Sequence, residues 1–573
     1  MTTAPPAPPS PPPPGRDRVG RATAIITAWN IVSRLTGFAR VVATSAALGI
    51  SHLGDTYQSA NVVSNILFEL LAGGLLYAVL VPTFVGLLDR GGRRAAVTLA
   101  EALLGRMLAG LAALVVLGAL AGPWIMRAFT VGGADAGVRA DQIRLGSFLL
   151  WFFLPQLLLY AIGAVATALL QADRHFAAAA AAPVLNNLVV MATMAVFALV
   201  TPAARVARLD LTLTQKLVLG LGTSTGVLAM TVLPLLALRR AHMTARPRWK
   251  RADDRHLDPP HLDPPHLDDG QVDPPHLDDG QVGEQGLGVL AAKGLWGAGH
   301  VGINQVLVFA TLVLAHAVTG GQAAYQMAFT FFLLPHAVLA NPIFTALFPR
   351  LSSHAARQSR PDFARDLSAG VRATTVLVLP AAGLLVVLAL PGLTVLRGFG
   401  QLDQRGIELV AQVLAAYALG LLGYSGFFLL TRASYALDDV RAPTIVNLAV
   451  TAGAVVAMVV ASRAVHGNAR VAVLGLVHAA AVTAGSVVLF ARLRRQVGHR
   501  VPWAAALLRA SAGTAAACGA AWVVSHQVGW SGRTTAVTSV VVSLLVAAVA
   551  YGAVMVASGA PELGPVLARL KRR

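Results

Sequence analysis

The amino-acid sequence predicts an all-α polytopic membrane protein with about fourteen transmembrane helices. Two observations carry this prediction. Of the 573 residues, 56% are hydrophobic and only 12% charged, with a mean hydropathy of +0.66, whereas ordinary soluble domains carry about 25% charged residues. Apolar runs then recur from about residue 22 to about residue 558, each near the roughly 20 residues that a helix needs to cross a ~30 Å hydrocarbon core. The runs are rich in Ala, Leu, Val and Gly and lack the alternation of a membrane β-barrel.

Taken in order, the spans fall at 23–49, 58–86, 95–122, 145–170, 177–201, 216–238, 290–317, 323–349, 370–395, 408–431, 443–462, 471–491, 503–526 and 535–558. The first follows a Pro-rich, basic stretch and is long enough to stay in the membrane, so no cleavable leader is expected. The single cysteine, Cys518, lies in an apolar run, which excludes intrachain disulfides and Cys-based metal sites. The formal charge of +19 would point to nucleic acid in a soluble protein. Here the basic residues lie between the runs. Alternate loops and the two termini carry 30 Lys and Arg, the opposite loops 11. Both termini are therefore expected in the cytoplasm, at the plasma membrane, and the charge reads as topology rather than as a nucleic-acid partner.

Composition divides the chain further. Residues 1–20 read as a disordered Pro-rich cytoplasmic tail. Residues 241–285 form a low-complexity cytoplasmic linker, with HLDPP at 256–260 and 261–265 and DPPHLDDGQV at 263–272 and 273–282. Its His256, His261, His266 and His276 can bind a metal weakly or simply be solvated. On either side lie an N-lobe (21–240, helices 1–6) and a C-lobe (286–495, helices 7–12), then helices 13–14 (496–560) and a basic tail (561–573). The lobes share short repeats: Pro183 with Asn187-Leu188 matches Pro443 with Asn447-Leu448, and Leu80-Val81-Pro82 matches Leu347-Phe348-Pro349. Repeats of this kind are typical of transporters with a site between the halves.

Ionised side chains at the bilayer centre cost roughly 2.5–3.5 kcal/mol on insertion scales and so usually face a cavity or a partner. On the first span Asn30, Ser33, Gly37, Arg40 and Thr44 share one face, which Arg34 widens to about 120° at ~100° per residue. That wet, cationic stripe is the strongest functional signal, against which stands simple snorkelling of the two arginines. Span two has Gln58, Asn61, Asn65 and Glu69 in register, with Glu69 placed to pair with Arg34 or Arg40. In the second half Asn304 and Gln305 are either interhelical hydrogen-bond formers or ligands. His300, His316, His336 and His478 read as packed histidines. Asp438, Asp439 and Arg441 precede the Pro443 helix, where acidic residues commonly complement the helix dipole. No phosphate-binding Gly-Lys loop, HExxH or Gly-x-Ser-x-Gly beside a usable base is present, so no enzyme is predicted.

The segment Asn30-Ile31-Val32-Ser33-Arg34-Leu35-Thr36-Gly37-Phe38-Ala39-Arg40 resembles the first-helix signature of the MurJ (MviN) lipid II flippases, within the multidrug/oligosaccharidyl-lipid/polysaccharide exporter superfamily. Four further segments agree in order: Gly54-Asp55 leading to Asn65; Leu170 to Phe176 with Pro183 and Asn187; Leu334-Pro335 to Thr345 through Arg350; and Arg432 to Asp439 with Pro443. The Ala/Arg-rich, Lys-poor composition is similar to that of actinobacterial members. The resemblance implies two pseudo-symmetric six-helix lobes around a central cavity, with the last helix pair helping to form a groove for a lipid tail. It also implies an undecaprenyl-pyrophosphate-linked peptidoglycan precursor as substrate, no cofactor, and drive from membrane potential or a monovalent cation. Site residues implied for the headgroup are Ser33, Arg34, Arg40, Asn61, Asn65 and Glu69; those for a cation or for gating are Asp55, Asn304, Gln305, Asp438, Asp439 and Arg441. Three positions depart from the family pattern: Val41 stands where many members have Asp, and Phe68 and Thr330 where they have arginines. Other readings are a relative exporting another lipid-linked saccharide or a drug, and a non-transporting scaffold that recruits cell-wall synthesis proteins.

Overall fold

A computed structural model describes residues 16–70, 75–132, 136–173, 175–245, 247, 279–499 and 501–561. The N-lobe comprises α1 (Arg16–Leu48), α2 (His52–Phe68), α3 (Leu75–Leu120), α4 (Gly122–Phe129), α5 (Ala136–Phe153), α6 (Gln156–Ala172), α7 (Phe176–Val200), α8 (Ala203–Arg208) and α9 (Leu213–Arg240). The C-lobe comprises α10 (Asp279–Ala315), α11 (Gly321–Pro335), a π-helical turn at His336–Ala340, α12 (Asn341–Ala356), α13 (Arg360–Val387), α14 (Ala389–Thr394), α15 (Gln404–Ala418), α16 (Leu421–Ala436), α17 (Arg441–Ala464) and α18 (Ala469–Val497). The chain then adds α19 (Ala504–Val528) and α20 (Arg533–Ala557).

Among the described residues, twelve helices are long and apolar enough to cross a membrane, or thirteen when α15 and α16, bent by 48°, count as one span. The second expected span is divided between α2 and the start of α3, which lie on either side of the undescribed residues 71–74. α3 changes direction at Gly92, whose φ of 70° suits a residue without Cβ. Of the expected N-terminal tail, residues 1–15 lie outside the described residues, and α1 begins at Arg16. Of the expected linker, residue 246 and residues 248–278, with all four linker histidines, also lie outside them. So do residues 562–573 of the basic tail.

Each lobe is built around the same joint. α1 packs on α7 and α10 on α17. Buried Asn187, one turn beyond Pro183, donates Nδ2–H to the Ser33 carbonyl (3.3 Å) and to Thr36 Oγ1 (3.1 Å). Buried Asn447 donates to the His300 carbonyl (3.2 Å) and to Asn304 Oδ1 (3.3 Å). The Pro–Asn repeat thus marks equivalent contacts, in which a polar side chain at membrane depth is satisfied by the facing helix. α19 and α20 pack on each other and against α13 and α14 of the C-lobe.

Candidate functional site

Along α1, burial rises steadily toward the C-terminal end: Asn30 and Arg34 are exposed, Ser33 and Arg40 half-buried, and Thr44 to Leu48 buried. Arg40 and Thr44 join Gln58, Asn61 and Asn65 of α2 and Gln326 of α11 in lining a small polar pocket of about 60 Å³ between the lobes. The Arg40 Nε–H is buried there with no hydrogen-bond partner. Leaving such a donor unpaired costs about 1–3 kcal/mol, more for a charged group, so the pocket favours an anionic or strongly polar occupant. Arg34, about one and a half turns nearer the basic end, is close enough to His336 and Tyr424 of the opposite lobe to interact with them electrostatically.

The end of the pocket away from the basic loops is sealed. Asp55, fully buried on α2, accepts hydrogen bonds from the backbone N–H groups of Gly320 (2.7 Å), Gln322 (2.9 Å) and Ala323 (3.0 Å). Its carboxylate thus caps the N-terminus of α11 across the lobe boundary, where the helix dipole favours negative charge. Gly320 stands at φ 78°, and a Cβ there would lie 2.4 Å from the Ile50 carbonyl oxygen, so both conformation and close approach require glycine. Ser59 donates to Gln322 Oε1, and the Gln322 amide donates to the Leu312 carbonyl (2.8 Å). Gln142 of α5 bonds His316 Nε2 (3.2 Å), and the Gln401 N–H reaches the Ala46 carbonyl (2.7 Å).

The remaining expected residues distribute unevenly. Glu69 is exposed and forms no ion pair with Arg34 or Arg40, which corrects the expected pairing. Neighbouring Phe68 meets Tyr160 of α6 with tilted rings, 4.7 Å between centroids. Thr330 turns its hydroxyl to the Gln326 carbonyl (2.8 Å) and supplies no cation. Asn304 lines a separate, aromatic-rich C-lobe cavity of about 260 Å³ with His300, Tyr424, Phe427, Phe428 and His478. Gln305, half-buried beside it on α10, is not among that cavity's lining residues. Asp439 accepts from the Ala442 N–H (3.0 Å) and pairs with Arg492 (3.3 Å), so it caps α17 at the basic end. Asp438 holds the adjoining left-handed position (φ 62°), and Arg441 lies over the Trp296 ring at 5.1 Å. The structure therefore does not bring Asp438, Asp439 and Arg441 to the level of Asn304. Sequence reading missed Gln142, Gln322 and Gln326; the last two sit four residues apart on an otherwise apolar helix, a visible polar stripe.

Comparisons with known proteins agree in kind. The family model "Lipid II flippase MurJ" matches residues 44–258 and 280–549. The lipid II flippase MurJ of Burkholderia cenocepacia is 24% identical over 436 residues, covering 75% of this chain and 76% of that protein. The probable lipid II flippase MurJ of Rhizobium tropici is 26% identical over 561 residues, covering 94% of each. Among solved structures, a lipid II flippase MurJ in an inward closed conformation superposes with a TM-score of 0.70 at 15% identity, over 93% of this chain and 99% of that one. An inward-facing multidrug resistance MATE family transporter of the MOP superfamily gives 0.62 at 11% identity, over 83% and 98%.

Proposed function

The chain belongs to the lipid II flippase MurJ family, and from that premise we propose that it carries an undecaprenyl-pyrophosphate-linked peptidoglycan precursor from the cytoplasmic to the outer leaflet by alternating access. The observation that supports this most is Arg40: a buried, partnerless guanidinium N–H in a polar pocket between the lobes, in line with exposed Arg34 and beneath a sealed end. In this reading the basic loops and both termini face the cytoplasm. The pyrophosphate enters from that side and takes charge-assisted, fork-like hydrogen bonds from Arg34 and Arg40. Ser33, Asn61 and Asn65 bond the remaining headgroup oxygens, exposed Glu69 sits at the entry, and the polyprenyl tail stays in lipid along the α19–α20 pair.

Export then requires the Asp55 cap on α11 to break, so the same carboxylate that holds the outer end shut gates release. Membrane potential or a monovalent cation drives the cycle without a resident cofactor; Asn304 and Gln305 are the nearest residues for such a cation, while Asp438, Asp439 and Arg441 act at the basic rim.

A second reading, export of another lipid-linked saccharide, is favoured by the neutral Phe68 and Thr330, which leave the pocket with fewer cations than the family pattern implies. Depleting the protein in cells separates the two. Accumulation of the undecaprenyl-pyrophosphate peptidoglycan precursor on the inner leaflet supports the first; accumulation of a different lipid-linked saccharide supports the second. Unchanged leaflet distributions would instead favour a scaffold for cell-wall synthesis proteins.

A further inference from the structure

The basic end of the C-lobe holds a cluster of arginines around a pocket that shares no residue with the central one. Arg372 of α13, Arg494 of α18 and Arg509 of α19 border a pocket of about 370 Å³. Among the described residues no acidic side chain lines it. Among the described residues neither Arg372 nor Arg494 is in an ion pair, and the buried Arg372 Nε–H has no hydrogen-bond partner. The first turn of α19 forms part of the wall, and its N-cap residue Trp503 makes no side-chain cap bond, which leaves the positive end of the helix dipole to add to the field of the arginines.

Trp503 also lines a second, apolar groove of about 370 Å³ between α13, α16, α18 and α19. Leu379, Leu422, Leu430 and Leu507 form its depth, and Leu419 and Val487, 61% and 62% exposed, form its open edge. The Trp503 ring packs edge-on against Phe490 at 5.6 Å. A tryptophan at the junction of a basic pocket and an apolar groove is the arrangement of the membrane–water interface, where the indole ring sits at headgroup level.

We propose that the pocket and groove together bind an anionic phospholipid of the leaflet at the basic end, its phosphate among Arg372, Arg494 and Arg509 and its acyl chains in the groove. Basic pockets between helices on the cytoplasmic side suit such headgroups. Arginines as the only charged lining residues discriminate against zwitterionic lipids, whose headgroup cation would meet like charge. A free phosphate ion would leave the groove unfilled. A bound lipid fastens α19 to α13 and α18 and so supports the position of the terminal helix pair.

The test is native mass spectrometry of the full chain released from nanodiscs of equal phosphatidylglycerol and phosphatidylcholine. The wild-type protein is expected to retain phosphatidylglycerol preferentially. The double variant Arg372→Gln/Arg494→Gln should lose that preference about tenfold or more, since each surface cation contributes about 1 kcal/mol toward an anionic lipid. Arg372→Lys/Arg494→Lys should keep most of it, which guards against misfolding as the cause. Val487→Trp, which crowds the groove, should lower retention of the lipid itself. Millimolar inorganic phosphate should not compete, and Arg34→Ala/Arg40→Ala should leave the preference intact. Equal retention of both lipids by the wild type, an unchanged preference in the Gln pair, displacement by phosphate alone, or loss of the preference in the Arg34/Arg40 variant would each overturn the proposal.

Discussion

The two lobes share a joint and differ in what they place beside it. In both, an asparagine on the fifth span of the lobe ties down the first through a backbone carbonyl: Asn187 to Ser33, Asn447 to His300. On the register that these two bonds define, Arg34 and Arg40 of α1 correspond to Val301 and Leu307 of α10. The N-lobe therefore turns a cation, Arg40, toward the inter-lobe pocket. The C-lobe surrounds the matching region with His300, Tyr424, Phe427, Phe428 and His478. The scaffold is duplicated but the chemistry is not, which is what a carrier for an asymmetric, anionic headgroup requires.

The strongest way to break this comparison is to move the charge. Arg40→Ala is expected to lower flipping of the lipid-linked precursor by ~100-fold, because charge-assisted bonds contribute about 1.5–3 kcal/mol each. Adding Leu307→Arg on the C-lobe should not restore it. Rescue by the transplanted cation, read in a leaflet-accessibility assay, would mean that the lobes are interchangeable.

Next in size is the outer seal. Asp55→Asn replaces a charged acceptor of three amide bonds and should loosen the closed state by about 2 kcal/mol, an equilibrium shift of ~30-fold. With Cys518 replaced by Ala, a cysteine at Ile50 should then label faster with an impermeant maleimide from outside. Unchanged labelling would show that Asp55 does not hold the gate.

Smaller effects sharpen the comparison. Asn187→Ala and Asn447→Ala each remove two interhelical bonds, for an expected loss of about 1–2 kcal/mol in thermal stability. Only Asn187→Ala should also reduce flipping several-fold, because it frees the helix that carries Arg34. Equal transport defects would contradict the division of labour. Smallest of all, Arg492→Ala breaks an ion pair with Asp439 whose arginine is 58% exposed, and it should change stability by less than about 0.5 kcal/mol. A large loss there would mean that the basic rim is part of the mechanism.

Much of this was legible in the sequence, for physical reasons that particular residues make clear. Long apolar runs mark spans because lipid tolerates nothing else, and Arg34 and Arg40 stand out because charge at membrane depth needs a cause. The Pro–Asn repeat foretold an equivalent position in each lobe, although not the carbonyl that each asparagine meets. The Asp55 cap was not legible: its three donors lie 265 to 268 residues away, on a helix start whose only local sign is the Gly320-Gly321 pair. Glu69 misled for the opposite reason. Register on two helices permits an ion pair, but in the folded chain Glu69 is exposed and pairs with neither arginine.

In the proposed cycle Arg34 and Arg40 hold a pyrophosphate headgroup between the lobes. Binding of an undecaprenyl-pyrophosphate-linked precursor to the purified protein, wild type against Arg34→Ala/Arg40→Ala, tests it most directly, with the matching monophosphate lipid as control. The double variant is expected to bind the pyrophosphate lipid at least ~30-fold more weakly, and the wild type to prefer it to the monophosphate. Equal affinity of wild type and variant for the pyrophosphate lipid would contradict it.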